Sequence, residues 1–278
     1  MNYVEGAVAP EVRTGAIKLY GDDALDGMRA AGRLAAETLD YVTPFVKAGI
    51  TTDEINTICH DFIINHNAVP APLNYRGFPK SVCTSINHVI CHGIPGPKKL
   101  KDGDTLNIDV TVILDGWFGD TSRMFFVGKQ KLLSQRLCQV TFEAMWKGIE
   151  VVKPGAHLGD IGAAIQKHVE SHRYSVVRDF CGHGIGRVFH DEPSVMHFGK
   201  EGTGVELRKG MFFTIEPMVN AGKPGAKVLA DDWTAVTRDK SLSMQFEHTL
   251  AVTDDGYEVF TKSPKGWECP PYDLPSAG

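Results

Sequence analysis

Leu100-Lys101-Asp102-Gly103-Asp104-Thr105-Leu106-Asn107-Ile108-Asp109 is matched further along the chain by Leu207-Arg208-Lys209-Gly210-Met211-Phe212-Phe213-Thr214-Ile215-Glu216. In both stretches a Leu-basic-X-Gly turn is followed, six residues after the glycine, by a carboxylate preceded by Ile. Upstream stand two His-Gly-Ile triplets, His92-Gly93-Ile94 and His183-Gly184-Ile185. Earlier still, Val46-Lys47-Ala48-Gly49 with Ile55 is echoed by Val152-Lys153-Pro154-Gly155 with Ile161. The offset is 106 residues for this last pair and 107 for Gly103 and Gly210. A near-constant offset means two copies of one α/β unit in a single chain. The expectation is one α+β body spanning 26–278, with halves of about 26–130 and 131–262 sharing a core, preceded by a lead-in segment over 1–25 that has no clear periodicity.

The composition of the 278 residues narrows the function classes. Hydrophobic residues make up 42% and charged residues 23%, ordinary for a soluble globular chain. The formal net charge of −5 leaves no basic footprint for nucleic acid. No apolar run approaches the ~18 residues of a membrane span, and Met1-Asn2-Tyr3-Val4-Glu5-Gly6 has neither the basic nor the apolar region of a secretory signal. Six scattered cysteines without C-x-x-C spacing read as reduced thiols. A cytoplasmic monomer is expected.

Outward from the first copy, residues 105–114 alternate. Leu106, Ile108, Val110, Val112 and Leu114 face one way, and Asn107, Asp109 and Thr111 face the other. Asp115-Gly116 is a hairpin signal, and Trp117 to Val127 reads as the returning strand. A two-residue turn sets Asp120 opposite Thr111 and diagonal to Asp109, ~7–8 Å away at the backbone with side chains able to converge. In the second copy Phe213 and Ile215 alternate with Thr214 and Glu216, and a later strand supplies Glu247. Helices are expected from Asp26, with Met28, Ala31, Ala35, Leu39, Val42 and Phe45 on one face, from Thr52, and after Gln135 and Gly159.

Asp109, Asp120, Glu216, Glu247 and His183 form a carboxylate-rich set with one imidazole. Acids gathered on strand faces repel one another, and uncompensated burial costs several kcal/mol per charge, roughly. Cations resolve this, and four carboxylates suit two divalent ions better than one. Oxygen ligands with one nitrogen suit Mn²⁺, Fe²⁺, Co²⁺ or Zn²⁺, and the cysteine spacing excludes a thiolate-rich structural zinc site. Two such ions ~3.5–4 Å apart are the two-metal hydrolase arrangement.

Six segments carry a family resemblance: Cys91-His92-Gly93-Ile94-Pro95, Asn107-Ile108-Asp109-Val110, Gly119-Asp120-Thr121-Ser122, Gly182-His183-Gly184-Ile185-Gly186, Phe213-Thr214-Ile215-Glu216-Pro217-Met218-Val219-Asn220 and Phe246-Glu247-His248-Thr249. In order and in content the chain resembles the type I methionine aminopeptidases in their short bacterial form. The resemblance implies the pita-bread fold, two pseudo-symmetric αβ halves with a dinuclear site between them. It implies Asp109, Asp120, His183, Glu216 and Glu247 as ligands, Asp120 and Glu247 bridging both ions, and Glu216 also serving as proton-shuttling base. It places His92 and His190 beside the scissile amide, and it implies a methionine pocket of Tyr75, Phe78, Cys83, Phe189 and Trp233. Phe78 and Pro72 stand where tyrosine and cysteine are more usual. His88, His157, His168, His172, His197 and His248 match no functional position and read as structural.

The implied activity is removal of N-terminal methionine from nascent polypeptides or peptides with a small second residue, at the ribosome or free of it. Two rivals share the fold: proline-specific peptidases, and pita-bread binding modules that have lost the metal site. A dinucleotide reading of Gly182–Gly186 fails, because the third glycine and the following amphipathic helix are missing.

Overall fold

The Asp115-Gly116 turn sets the register of the first half. In the computed structural model, which describes residues 1–7 and 13–273, both turn residues have positive φ, 50° and 78°, the geometry that matches the twist of the flanking strands. Strands Thr105–Leu114 and Trp117–Phe126 therefore pair with Leu114 opposite Trp117, Thr111 opposite Asp120 and Asp109 opposite Ser122. The expected diagonal between Asp109 and Asp120 is present. Leu106, Ile108, Val110 and Val112 are fully buried under helices α1 (Leu25–Val42) and α2 (Thr52–Asn65). Helix α1 buries Met28, Ala31, Ala35, Leu39 and Val42 at helical spacing. Phe45 departs from expectation: the α-helix stops at Val42, a 3₁₀ turn follows over Thr43–Phe45, and the Phe45 ring swings into solvent.

The second half repeats these connections. Helices α3 (Leu132–Glu150) and α4 (Leu158–Ser171) accompany a five-stranded antiparallel sheet. Its order is Asp191–Val195, Gly182–Gly184, Phe212–Ile215, His248–Val252, Tyr257–Val259. Gly49 N–H donates to Leu100 O at 2.9 Å, and Gly155 N–H to Leu207 O at 2.9 Å. Thr51 N–H is accepted by Glu54 Oε2 at the start of α2, and His157 N–H by Asp160 Oδ2 at the start of α4, both at 2.7 Å. Gly103 and Gly210 share a φ of 87°, a left-handed value at which a Cβ is strained. The sequence repeat is thus a repeat of hydrogen bonds. Helix α3 begins three residues before Gln135, because Leu132 and Leu133 in its first turn are exposed and leave no apolar stripe to read.

The interior gathers into two principal clusters, each taking residues from both halves. One lies under α1 and α2, the other between α3, α4 and the larger sheet. The lead-in segment runs along their boundary. Its strand Ile17–Leu19 puts Ile17 in the second cluster, while Tyr20 joins the first and stacks on Phe212 at 4.8 Å. The polar face of the hairpin is covered as well. Asn107 Nδ2 donates to Gln245 O at 2.9 Å, Glu247 N–H to Ser122 O at 3.1 Å, and Thr249 Oγ1 to Asp120 O at 2.7 Å. The acids of both halves therefore meet at an internal seam.

Candidate metal centre and active site

Asp109 and Asp120 project from the two strands of the hairpin, His183 from Gly182–Gly184, Glu216 from the end of Phe212–Ile215, and Glu247 from the segment leading into His248–Val252. Among the described residues, Asp120, His183 and Glu247 bring donor atoms within 4.8 Å of one another. His183 Nε2 stands 3.5 Å from Asp120 Oδ2 and 3.7 Å from Glu216 Oε1. Its Nδ1 faces the Gly184 carbonyl at 3.0 Å, a contact that places the proton on Nδ1 and leaves the Nε2 lone pair toward the acids. The carboxylates are oriented by neutral donors: Thr111 Oγ1 to Asp120 Oδ1 at 2.7 Å, Thr214 Oγ1 to Glu216 Oε1 at 2.8 Å, and Gln245 Nε2 to Glu216 Oε2 at 3.2 Å.

The electrostatics calls for positive charge. Burial, then Asp120 and Glu216, push the Asp109 carboxyl well above the usual range; burial, then Asp120, Glu216 and Asp109, do the same to Glu247. Glu216 is pushed up to about 7 by burial, against the opposing pull of His183. For His183, burial disfavours the cation, but the hydrogen bond to Asp120 and the charges of Glu216 and Asp120 outweigh it and the pKa rises. Each of these shifts adds a proton to the cluster. A divalent cation supplies the same compensation, and four carboxylates with one lone-pair imidazole form a donor set for a hard to borderline metal.

All the residues singled out from the sequence line one cleft of about 350 Å³: Tyr75, Phe78, Cys83, His92, Asp109, Asp120, His183, Phe189, His190, Glu216, Trp233 and Glu247. Phe78 meets Trp233 edge-on at 5.2 Å, and Tyr75 tilts against Phe189 at 4.8 Å. His190 Nδ1 lies 3.0 Å from Tyr75 Oη, and the His190 ring is 4.2 Å from that of His183. Burial, followed by the neighbouring His183, His92, Arg76 and Arg13, drives His190 down to about 2. Burial also lowers His92, with Asp120 opposing. Both imidazoles are neutral near pH 7. Four non-glycine residues in or beside the cleft have positive φ: Asn74 (66°), Arg76 (48°), His92 (56°) and Asp232 (63°), a cost of about 1–3 kcal/mol each that sites of function commonly carry.

The cleft also takes Arg13, Arg76, Cys91, Asp179, Phe180, Cys181 and Met218, none of which sequence reasoning singled out. Cys91 stood beside His92, and Met218 two residues after Glu216, in segments already noted, and those were the available signals. Two histidines read as structural lie next to proposed ligands: His197 Nε2 accepts the Glu216 N–H at 3.1 Å, and His248 Nε2 stands 3.2 Å from Glu268 Oε2.

A seam between two like halves, lined with acids and one imidazole and opening into an aromatic cleft, sets a donor cluster for divalent metal beside a pocket for an apolar side chain. The sequence profile of metallopeptidase family M24 matches residues 26–254, and the chain belongs to that family. It is 63% identical over 257 residues to the methionine aminopeptidase of Rickettsia prowazekii, an alignment covering 92% of this chain and 99% of that one. It is 55% identical over 248 residues to the methionine aminopeptidase of Escherichia coli strain K12, covering 88% and 94%. The crystal structure of the Rickettsia prowazekii enzyme superposes with a TM-score of 0.88, covering 88% of this chain and 99% of that chain. The fold is the pita-bread fold of that family.

Proposed function

We infer that the protein is a methionine aminopeptidase that removes N-terminal methionine from nascent chains and peptides when the second residue is small. The observation that carries this reading is one cleft in which acids and an imidazole from both halves meet an enclosed aromatic wall. Curated relatives of 55–63% identity bear that name, which favours it over the proline-specific and non-catalytic alternatives. Asp109, Asp120, His183, Glu216 and Glu247 would hold two divalent ions. Such ions, when bound, supply an activated water and polarise the amide carbonyl.

The chain's own groups do the rest. Glu216, held by Thr214 Oγ1 and Gln245 Nε2, would take the proton from the attacking water and return it to the leaving amine. With Tyr75 Oη as donor to His190 Nδ1, 3.0 Å away, His190 Nε2–H is a neutral donor toward the amide oxygen. His92, held with positive φ between Phe180 and Trp233, is the second such group. Phe78, Cys83, Phe189 and Trp233 enclose the thioether, which packs well against ring edges. Its substrates are nascent polypeptides or free peptides met in the cytoplasm, where the chain works as a monomer.

Incubation with Met-Gly and Met-Leu peptides in Mn²⁺ or Co²⁺ should release methionine from the first much faster, and chelation should stop it. Equal rates on both, or faster cleavage of a dipeptide with proline second and no methionine first, would discard the specificity.

A further inference from the structure

The lead-in segment grips the strand that begins beside His190. In the strand Ile17–Leu19, Ile17 and Leu19 turn toward the core of the second half, and Lys18 points the other way. Lys18 is only 5% exposed, and its Nζ lies 2.8 Å from Oδ2 of Asp191, which is 7% exposed. Asp191 follows His190 directly and opens the strand Asp191–Val195. That strand pairs irregularly with Gly182–Gly184: Asp191 stands opposite Gly184 and Ser194 opposite His183, so Glu192 and Pro193 are extra residues on one side.

A bulge of this kind re-aims the side chains around it and has lost part of its ladder. Here the missing restraint comes from side chains. Asp191 Oδ1 accepts the Glu192 N–H at 2.9 Å, while Lys18 holds the other carboxylate oxygen. Arg13 Nη2 reaches Glu192 Oε1 at 2.9 Å from the outside. The strand on the far side of the bulge carries His183, whose ring is 4.2 Å from that of His190.

We propose that Lys18, acting through Asp191, is a positioning residue that sets where His190 stands in the cleft. The proposal rests on the role given to His190 above, and its physical basis is direct. A donor aimed at a reacting amide loses its effect when displaced by a fraction of its bond length, and a displacement of about 1 Å costs roughly 100-fold in rate. A buried ion pair anchored on a strand packed into the second core fixes a loop-like bulge better than backbone pairing that is interrupted there.

The test is a double-mutant cycle in the full-length metal-loaded protein. Lys18→Met and the apolar pair Lys18→Met/Asp191→Leu are each made in the wild-type and in the His190→Ala background. The apolar pair removes the charges together, so no buried charge is left alone and the fold survives where the single variant's does not. Hydrolysis of a Met-Gly peptide should show kcat reduced roughly 10- to 100-fold, with KM and metal stoichiometry unchanged. In the His190→Ala background the same changes should cost less than about twofold, since the positioned group is gone. Lys18→Arg should keep most of the rate. The imidazole NMR signals of His190 should move in the Lys18 variants while those of His92 stay. Equal losses in both backgrounds, or a folded apolar-pair variant with wild-type kcat and unmoved His190 signals, would overturn the proposal. A wild-type protein that releases no methionine would sink the functional reading instead, and the NMR comparison would still decide the positioning.

Discussion

Three histidines crowd the cleft, and their surroundings assign them different work. His183 has two carboxylates within 3.7 Å and a carbonyl at its other nitrogen; His190 has a phenol, and His92 has rings. His183→Ala should therefore weaken metal binding first. His92→Ala and His190→Ala should bind metal as the wild type does and lose roughly 10²–10³ in kcat, the cost of removing one donor aimed at developing charge. Titrating metal calorimetrically into the three stripped variants, beside steady-state kinetics, checks this; a His190→Ala protein that no longer takes up metal has been given the wrong role here. The ligand-type residues were legible because the repeat put acids at matching points. Cys181 and Phe180 were not, since each sits in an ordinary apolar or turn sequence and reaches the cleft only through the way the chain folds back. Nothing in the local sequence announces the positive φ of Asn74, Arg76 or His92.

Among the elements, the hairpin was the most readable, because a two-residue turn and strict alternation leave one register. Its polar row, however, reads the same whether it meets water or the segment Gln245–Thr249. Arg123 shows what alternation leaves out. It points from the returning strand to the side away from Asp120 and is almost wholly buried. There it donates to Asp40 Oδ1 of α1 at 2.5 Å, to the Trp267 carbonyl at 2.8 Å and to the Ala36 carbonyl at 2.9 Å. Ser263 Oγ donates to the same Asp40 carboxylate. One guanidinium thus joins a helix, a strand and the C-terminal segment. Arg123→Met should cost about 3–5 kcal/mol by leaving Asp40 buried and unpaired, and adding Asp40→Leu should recover much of that loss. Urea unfolding at neutral pH measures both. A single variant within 1 kcal/mol of wild type, roughly the worth of an exposed pair, would contradict this reading.

For the whole molecule, the two-fold plan was visible in the sequence, and the lead-in was not. Its strands are three residues each, too short for a period; they pair with each other in parallel, and the segment is anchored far along the chain, Tyr20 N–H donating to Gly210 O and Tyr3 Oη to Glu206 O. Because the proposed ligands come from both halves, metal should brace them together. Adding Mn²⁺ or Co²⁺ to stripped protein at about 100 times Kd should add about 2.7 kcal/mol of stability. Differential scanning calorimetry should show the midpoint rise in the wild type and not in Asp120→Ala or His183→Ala; a full rise in either would mean that the ion binds elsewhere. The same seam has a consequence in time. A ribosome releases Asp109 and Asp120 early, His183 and Glu216 much later, and Glu247 later still. The Trp267 carbonyl that closes on Arg123 follows all of them. A chain that stops short of Glu247 lacks one of the proposed ligands. A catalyst proposed to trim newborn proteins is thus itself silent until that last acid has emerged.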